Sequence, residues 1–204
     1  MNDIVLVFAR APRLGTVKRR LGAEIGQRAA LRFYRHTLFR LLHRLARDRR
    51  FRTVLAITPD RARVGQRVRV AAVPQGSGDL GQRMSRAFWR YTTGRVVLLG
   101  SDIPDAGPAD VRAAFRALGS ADAAFGPAAD GGYWLIAMGP RRPARPFADV
   151  RWSTQHALSD TVANFPGRRI AFLQVLQDVD RAEDLPTPSQ NRLNLVVSSR
   201  SSDQ

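Results

Sequence analysis

A chain of 204 residues with 44% hydrophobic side chains is long enough for one substantial core and short for two complete ones, so a single domain is expected. With no cysteine, the chain has no disulfides, thiolate metal ligands or cysteine nucleophiles, and any metal must be held by oxygen or imidazole nitrogen. The formal charge of +16 would ordinarily suggest a nucleic-acid or membrane-surface partner, but 18 of the 33 basic residues and only 4 of the 17 acidic ones fall in the first 70 positions. All but one of the basic residues are Arg, which reads as a compositional preference rather than phosphate contact at every site. The exception, Lys18, marks a position where a compact ammonium is wanted. No apolar run approaches the roughly 20 residues that span a bilayer, and the start lacks the basic segment of a signal peptide, so a cytoplasmic protein is expected.

Asp3 to Phe8 predicts a short strand, followed by a loop containing Pro12 and Gly15. From about Glu24 to Asp48 a helix is expected. Ala29, Ala30, Phe33, Thr37, Leu38, Leu41, Leu42 and Leu45 fall on one face, and Arg28, Arg32, Arg35, Arg40, Arg44 and Arg47 on the other. His36 and His43 lie on this helix without a third ligand nearby and are read as surface or packing residues. Arg52–Thr58 and Val68–Val73 predict strands, and Asp79–Tyr91 a helix with Leu80, Met84, Ala87, Phe88 and Tyr91 inward. Arg95–Gly100 is a buried strand, since consecutive apolar β-formers suit a sheet covered on both faces. A helix over Ala109–Leu118, strands over Asp122–Phe125 and Tyr133–Met138, a Pro- and Arg-rich loop over 139–150, a helix over Thr154–Asn164 and a strand over Ile170–Val175 follow. The domain is expected to span residues 1–185, with 186–204 a polar, mobile tail. This alternation predicts a three-layer α/β/α fold with a mostly parallel sheet and antiparallel additions late in the chain.

Five segments carry chemistry-bearing residues, and four begin where a strand ends, which places them along one rim of the sheet. Phe8 to Leu21 is a basic loop whose backbone N–H groups, Arg10 and Lys18 suit a polyphosphate, although the Gly-Lys-Ser/Thr of a Walker loop is absent. Gln75 to Met84 enters a helix through a Gly-rich turn, with Asp79 at the N-cap and Arg83 a turn later; capping alone is the competing reading. Asp102 follows a buried strand, where it either holds a divalent cation or starts a turn. Asp130, Gly131, Gly132 and Tyr133 let a sugar or phosphate approach the backbone, or form a plain Asp-Gly turn. Asp178-Val179-Asp180 supplies carboxylates two apart, as an acidic surface turn also would. Isolated acids at strand ends of an Arg-rich chain favour a cation held in front of the basic loop, with Asp102 and Asp180 sufficient for Mg²⁺ beside substrate phosphate.

Taken together and in this order, Phe8 to Leu21, Gly100 to Pro104, Asp130 to Tyr133, Val150 to Thr154 and Asp178 to Leu185 resemble a family of small nucleotide-diphospho-sugar transferases of the GT-A fold, including those assigned to arsenosugar biosynthesis. The likeness covers roughly residues 4 to 185. Arg10 stands where that family has Lys, Arg19 where it has Thr, and Arg181-Ala182 where it has Thr-Pro. The resemblance implies glycosyl transfer from a nucleoside-diphosphate sugar, with the diphosphate at Arg10 and Lys18 and Mg²⁺ or Mn²⁺ on Asp102 and Asp180. It further implies an acceptor near Asp130 to Trp134; Asp130 is read as the base, and Asp79, Arg83, Gly131, Gly132, Tyr133 and Trp152 are expected to line the substrates. Nucleotidyltransferases of the molybdenum-cofactor and phospholactate guanylyltransferase type share that fold, but their glycine-rich entry with Arg-Met-Gly is absent from residues 9 to 18. A basic RNA-binding module is the remaining alternative; no stacking strand or nucleic-acid motif accompanies the arginines, so no nucleic-acid partner is expected.

Overall fold

The computed structural model describes residues 3–62 and 69–185. Its elements are β1 (Ile4–Arg10), α1 (Arg19–Ile25), α2 (Gln27–Ala46), β2 (Arg52–Thr58), β3 (Ala71–Pro74), α3 (Leu80–Trp89), β4 (Val96–Gly100), α4 (Pro108–Ala117), β5 (Ala123–Pro127), β6 (Tyr133–Met138), α5 (Ala157–Ala163) and β7 (Ile170–Phe172). A short 3-10 turn at Ala182–Asp184 closes the described chain. The seven strands form one sheet in the order β3-β2-β1-β4-β6-β5-β7. All neighbours are parallel except β6, which runs antiparallel to both β4 and β5. The α/β fold with a mostly parallel mixed sheet is therefore as the alternation predicted.

Alternate residues of β1 feed two cores, as the period of a strand requires. Val5, Val7 and Ala9 join Leu38, Leu41 and Leu42 of α2 and Val111, Ala114 and Phe115 of α4 on one face. Ile4 and Leu6 join Met84, Ala87 and Phe88 of α3 on the other, against which Leu158 and Val162 of α5 pack. Each fully buried Leu or Val contributes about 1.5–3 kcal/mol, so these two layers fix which strand ends share a rim. A third cluster, Leu21, Ala30 and Val179, ties α1 and α2 to the segment after β7.

Several boundaries differ from expectation. The helix expected from Glu24 begins at Gln27, and a separate helix α1 forms over Arg19–Ile25, partly where a loop is expected; Gly26 adopts φ +88°, a left-handed value that ends α1 and starts α2. Tyr34 is buried among the aliphatic residues of α2, whereas His36 and His43 are exposed. β3 and β7 are shorter than predicted, and α5 starts at Ala157 because Thr154 is used in a turn, its hydroxyl donating to the Arg151 carbonyl and accepting from the His156 N–H. Val68 and the tail over 186–204 lie outside the described residues. No helix among the described residues is long and apolar enough to cross a membrane.

Candidate functional site

The carboxyl ends of β1, β2 and β4 open on one rim of the sheet. Because β6 is reversed beside β4, its beginning rather than its end meets that rim, with Leu135 opposite Leu99. The loops after β1 and β4, the loop before β6 and the segment after β7 therefore surround one cleft. It has two lobes, of about 440 and 410 Å³, which share Phe8, Leu80, Gly100, Asp102 and Asp180 along their common wall.

Lys18 sits at that wall. Its backbone is left-handed at φ 46° and ψ 52°, a conformation that costs a non-glycine residue about 1–3 kcal/mol and is kept only where the surroundings demand it. Its side chain is 4% exposed, and its ammonium lies 2.8 Å from Asp102 Oδ2 and 3.0 Å from Asp180 Oδ1. Burial by itself would lower the lysine pKa, but the Asp102 carboxylate and then Asp180 outweigh it, so the pKa is raised and the ammonium stays charged. Arg20 reaches the other oxygen of Asp180 at 3.4 Å. Val179, buried against Leu21 and Ala30, sets Asp178 and Asp180 on either side of an anchored residue.

The two carboxylates thus converge on one point, an oxygen-only donor pair that suits a hard divalent cation completing its shell with water and phosphate. That point is held by the Lys18 ammonium. Among the described residues no group of three or more His, Cys, Asp or Glu is placed to hold a metal. Asp102 and Asp180 therefore fit such an ion only together with a substrate's own oxygens.

The first lobe is cationic. Arg10, Lys18, Arg19, Arg20 and Arg83 all line it. The end of β1 is fixed by Tyr34, whose hydroxyl accepts from the Arg10 N–H at 3.0 Å, donates to the Arg10 carbonyl at 2.9 Å and meets Ser101 Oγ at 3.1 Å. Burial raises the Tyr34 pKa, so the phenol remains a neutral strut between β1 and β4. Gln75, buried, donates to the carbonyls of Ala9 and Ala56 and accepts from Arg83 at 2.9 Å. Burial, then the nearby Arg10, lowers the Arg83 pKa, the mark of two guanidinium groups facing one space. Asp79 turns away from that space. Its carboxylate accepts from the Gln82 N–H and the Gln82 side chain returns the bond, a capping box that starts α3.

The second lobe contains Asp130, Gly132, Tyr133, Trp152 and Asp178 beside the shared carboxylates. Asp130 accepts from the Gly132 N–H at 2.9 Å in a local turn. Gly131 is not a wall of the lobe; at φ +84° it packs so closely that a Cβ would lie 2.3 Å from the Gln155 carbonyl oxygen, which binds the loop before β6 to the loop before α5. Tyr133 and Trp152 meet edge to face at 6.4 Å between ring centres, and the Tyr133 hydroxyl accepts from Thr161 at 3.4 Å. Trp134 is a core residue, its indole donating to the Gln174 carbonyl. Burial, followed by the charges of Asp102, Asp180 and Asp130 and opposed by Lys18, raises the Asp178 carboxyl pKa.

Sequence reasoning passed over Tyr34 and Ser101, and it singled out the segments holding Gln75 and Asp178 without giving those two side chains a role. The usable signal for Tyr34 was a phenol in an aliphatic stripe, since a buried hydroxyl needs a partner.

A seven-stranded sheet in this order, with a nucleotide-sized cationic lobe at its rim, defines the nucleotide-diphospho-sugar transferase fold. The chain belongs to the family described as "Uncharacterized protein conserved in bacteria (DUF2064)", whose profile matches residues 41–154. It is similar to a Desulfovibrio desulfuricans G20 protein provisionally named a nucleotide-diphospho-sugar transferase, at 32% identity and TM-score 0.81 over 89% of this chain and 84% of that one. The 4-diphosphocytidyl-2C-methyl-D-erythritol synthase of Anaerococcus prevotii DSM 20548 shares the fold at 10% identity and TM-score 0.57, over 90% and 94% of the two chains. A CMP:2-keto-3-deoxy-manno-octonic acid synthetase complexed with CTP shares it at 13% identity and TM-score 0.56, over 97% and 99%. No curated protein matches the chain in sequence.

Proposed function

We propose that the chain moves a sugar from a nucleoside-diphosphate sugar to an acceptor hydroxyl, with Mg²⁺ or Mn²⁺ held by Asp102 and Asp180. The observation that supports this most is the shared wall, where a buried ammonium and two carboxylates stand between a cationic lobe and a second lobe without cations. In this reading the diphosphate lies in the first lobe against Arg10, Lys18 and Arg83, and the acceptor lies in the second beside Asp130, near Tyr133 and Trp152. The acceptor oxygen attacks the anomeric carbon as the bond from that carbon to the diphosphate breaks, its electron pair leaving on the diphosphate oxygen. Asp130 takes the acceptor proton, a contribution worth ~10²–10⁴ in rate. Arg10 and Lys18 stabilise the leaving charge with preplaced N–H donors. A bound dication would supply further Lewis-acid stabilisation there.

Thermal-shift screening of nucleoside-diphosphate sugars with and without Mg²⁺ or Mn²⁺ tests the reading. Stabilisation by one donor that needs the metal and disappears in Asp102→Asn is the expected result; an unchanged response in that variant removes Asp102 from the site. Nucleotidyl transfer is the second reading, because five cations in the first lobe suit a triphosphate as well. Release of nucleoside diphosphate supports the first reading, and release of pyrophosphate from a nucleoside triphosphate supports the second.

A further inference from the structure

The two lobes of the cleft differ sharply in charge. The chain has 33 basic and 17 acidic residues, yet four of those acids, Asp102, Asp130, Asp178 and Asp180, line the second lobe. No Lys, Arg or His among the described residues lines it. Lys18, or a dication in its place, neutralises Asp102 and Asp180. Asp130 and Asp178 make no ion pair among the described residues, Lys18 acting on Asp178 only through its field: Asp130 is bonded within its own turn, and Asp178 makes no side-chain hydrogen bond among the described residues. Most of the remaining wall is apolar and aromatic, with Met84, Leu98, Tyr133 and Trp152 among its members beside Ser153 and Thr154.

We propose that the second lobe selects an acceptor that is uncharged or cationic, a hydroxyl-bearing molecule with one apolar face, and rejects phosphorylated and carboxylated molecules. This rests on the transferase reading of the cleft and adds the substrate class to it. An anion in the lobe would face two carboxylates that no basic side chain lining the lobe offsets, and like-charge juxtaposition is a strong means of excluding wrong partners. A sugar or polyol hydroxyl finds acceptors at Asp130 and Asp178, an ammonium finds counter-charges, and an apolar face packs on Trp152.

Three matched probes differing only in charge test this: phenyl glucoside, its 2-amino-2-deoxy analogue and phenyl glucuronide. Binding is read from the indole N–H signals, where Trp152 reports the lobe and Trp89, exposed elsewhere on α3, serves as control. The glucuronide should bind at least ~10-fold more weakly than the glucoside and the amino analogue at least as tightly, the gap narrowing at high salt. In Asp130→Asn/Asp178→Asn the glucuronide should come within about threefold of the glucoside, because the repulsion is gone. A glucuronide that binds the native protein as well as the glucoside, a gap indifferent to salt and to the double substitution, or no Trp152 response to any probe overturns the proposal. Failure of the transferase reading shows separately: nucleoside diphosphates would then bind without dependence on Arg10 and Arg83, whatever the probes do.

Discussion

The half of the sheet formed by β3, β2, β1 and β4 is wholly parallel, and it delivers functional residues where strands end: Arg10 and Lys18 after β1, Gln75 after β3, Asp102 after β4. In the other half β6 runs backwards between β4 and β5 and delivers Asp130 to Tyr133 where a strand begins. The parallel half is knitted to the cleft by contacts across long stretches of chain, Lys18 to Asp102 and Asp180, Tyr34 to Arg10 and Ser101. In the reversed half the loops that carry Asp130 and Trp152 are fixed by short-range bonds, Asp130 to Gly132 and Arg151 to Asp160, and by the close approach of Gly131 to Gln155, while Tyr133 to Thr161 and Trp134 to Gln174 are its longer bonds. The charged centre is thus built across the whole chain, whereas the loops that bring Asp130 and Trp152 to the second lobe are built locally. Perturbing the first should reach the whole cleft, whereas perturbing the second should stay in its lobe.

Lys18 offers the largest test. Lys18→Met removes a donor aimed at leaving-group charge from beside the Asp102 and Asp180 carboxylates, so kcat/KM for donor turnover should fall by ~10²–10³. Lys18→Arg should not restore it, because a planar fork does not fit a point held at 2.8 and 3.0 Å by two carboxylates. Full activity in the Arg variant would show that the centre needs charge without compactness.

Gly131→Ala breaks the other side. A Cβ would lie 2.3 Å from the Gln155 carbonyl oxygen on a residue at φ +84°, so the protein should lose about 1–3 kcal/mol, with Tm falling ~2–4 °C per kcal/mol. If the second lobe is built locally, nucleoside-diphosphate affinity should stay within about twofold while binding of neutral probes at Trp152 is lost; an equal loss in both lobes would refute the division. Tyr34→Phe is the smaller counterpart in the parallel half. It removes the strut between Arg10 and Ser101 for about 1–2 kcal/mol, and nucleotide affinity should fall with it.

The same division explains what was readable in the sequence. β2 and β6 fell at their predicted limits, Arg52–Thr58 and Tyr133–Met138, since buried apolar runs bounded by turn residues carry their own signal. Asp102 was legible as a strand-end acid for the same reason. Antiparallel additions late in the chain were expected, but nothing local announces that β6 is the reversed strand, that Gly26 separates α2 from a short helix over Arg19–Ile25, or that Tyr34 reaches across to Ser101. Those depend on partners 67 or more residues away in the case of the strut to β4, and on a backbone sign that only glycine hides in the case of Gly26. Lys18 was legible as unusual because it is the only lysine; its position between two carboxylates was not, since Asp102 and Asp180 are remote in sequence.

The mildest test concerns acid. Arg151 holds Asp160 by side-chain bonds at 2.8 and 2.9 Å and a backbone bond at 3.0 Å, which keep the Asp160 carboxyl at about 2, below its ordinary value of 3.8. A carboxylate depressed on folding stabilises the native state above its unfolded pKa and loses that contribution as pH falls through the folded value, so the effect should be complete above about pH 4 and fade toward pH 2. The pair anchors the loop bearing Trp152, and so belongs to the locally built side. On acidification the Trp152 indole signal should shift in step with the Asp160 carboxyl resonance, while signals around Tyr34 hold. In Arg151→Gln the carboxyl should titrate nearer its ordinary value and carry the Trp152 shift up with it. A Trp152 signal that ignores the substitution would mean that the loop is held by its ring packing on Tyr133 and Phe147 instead, and that the ion pair only decorates it.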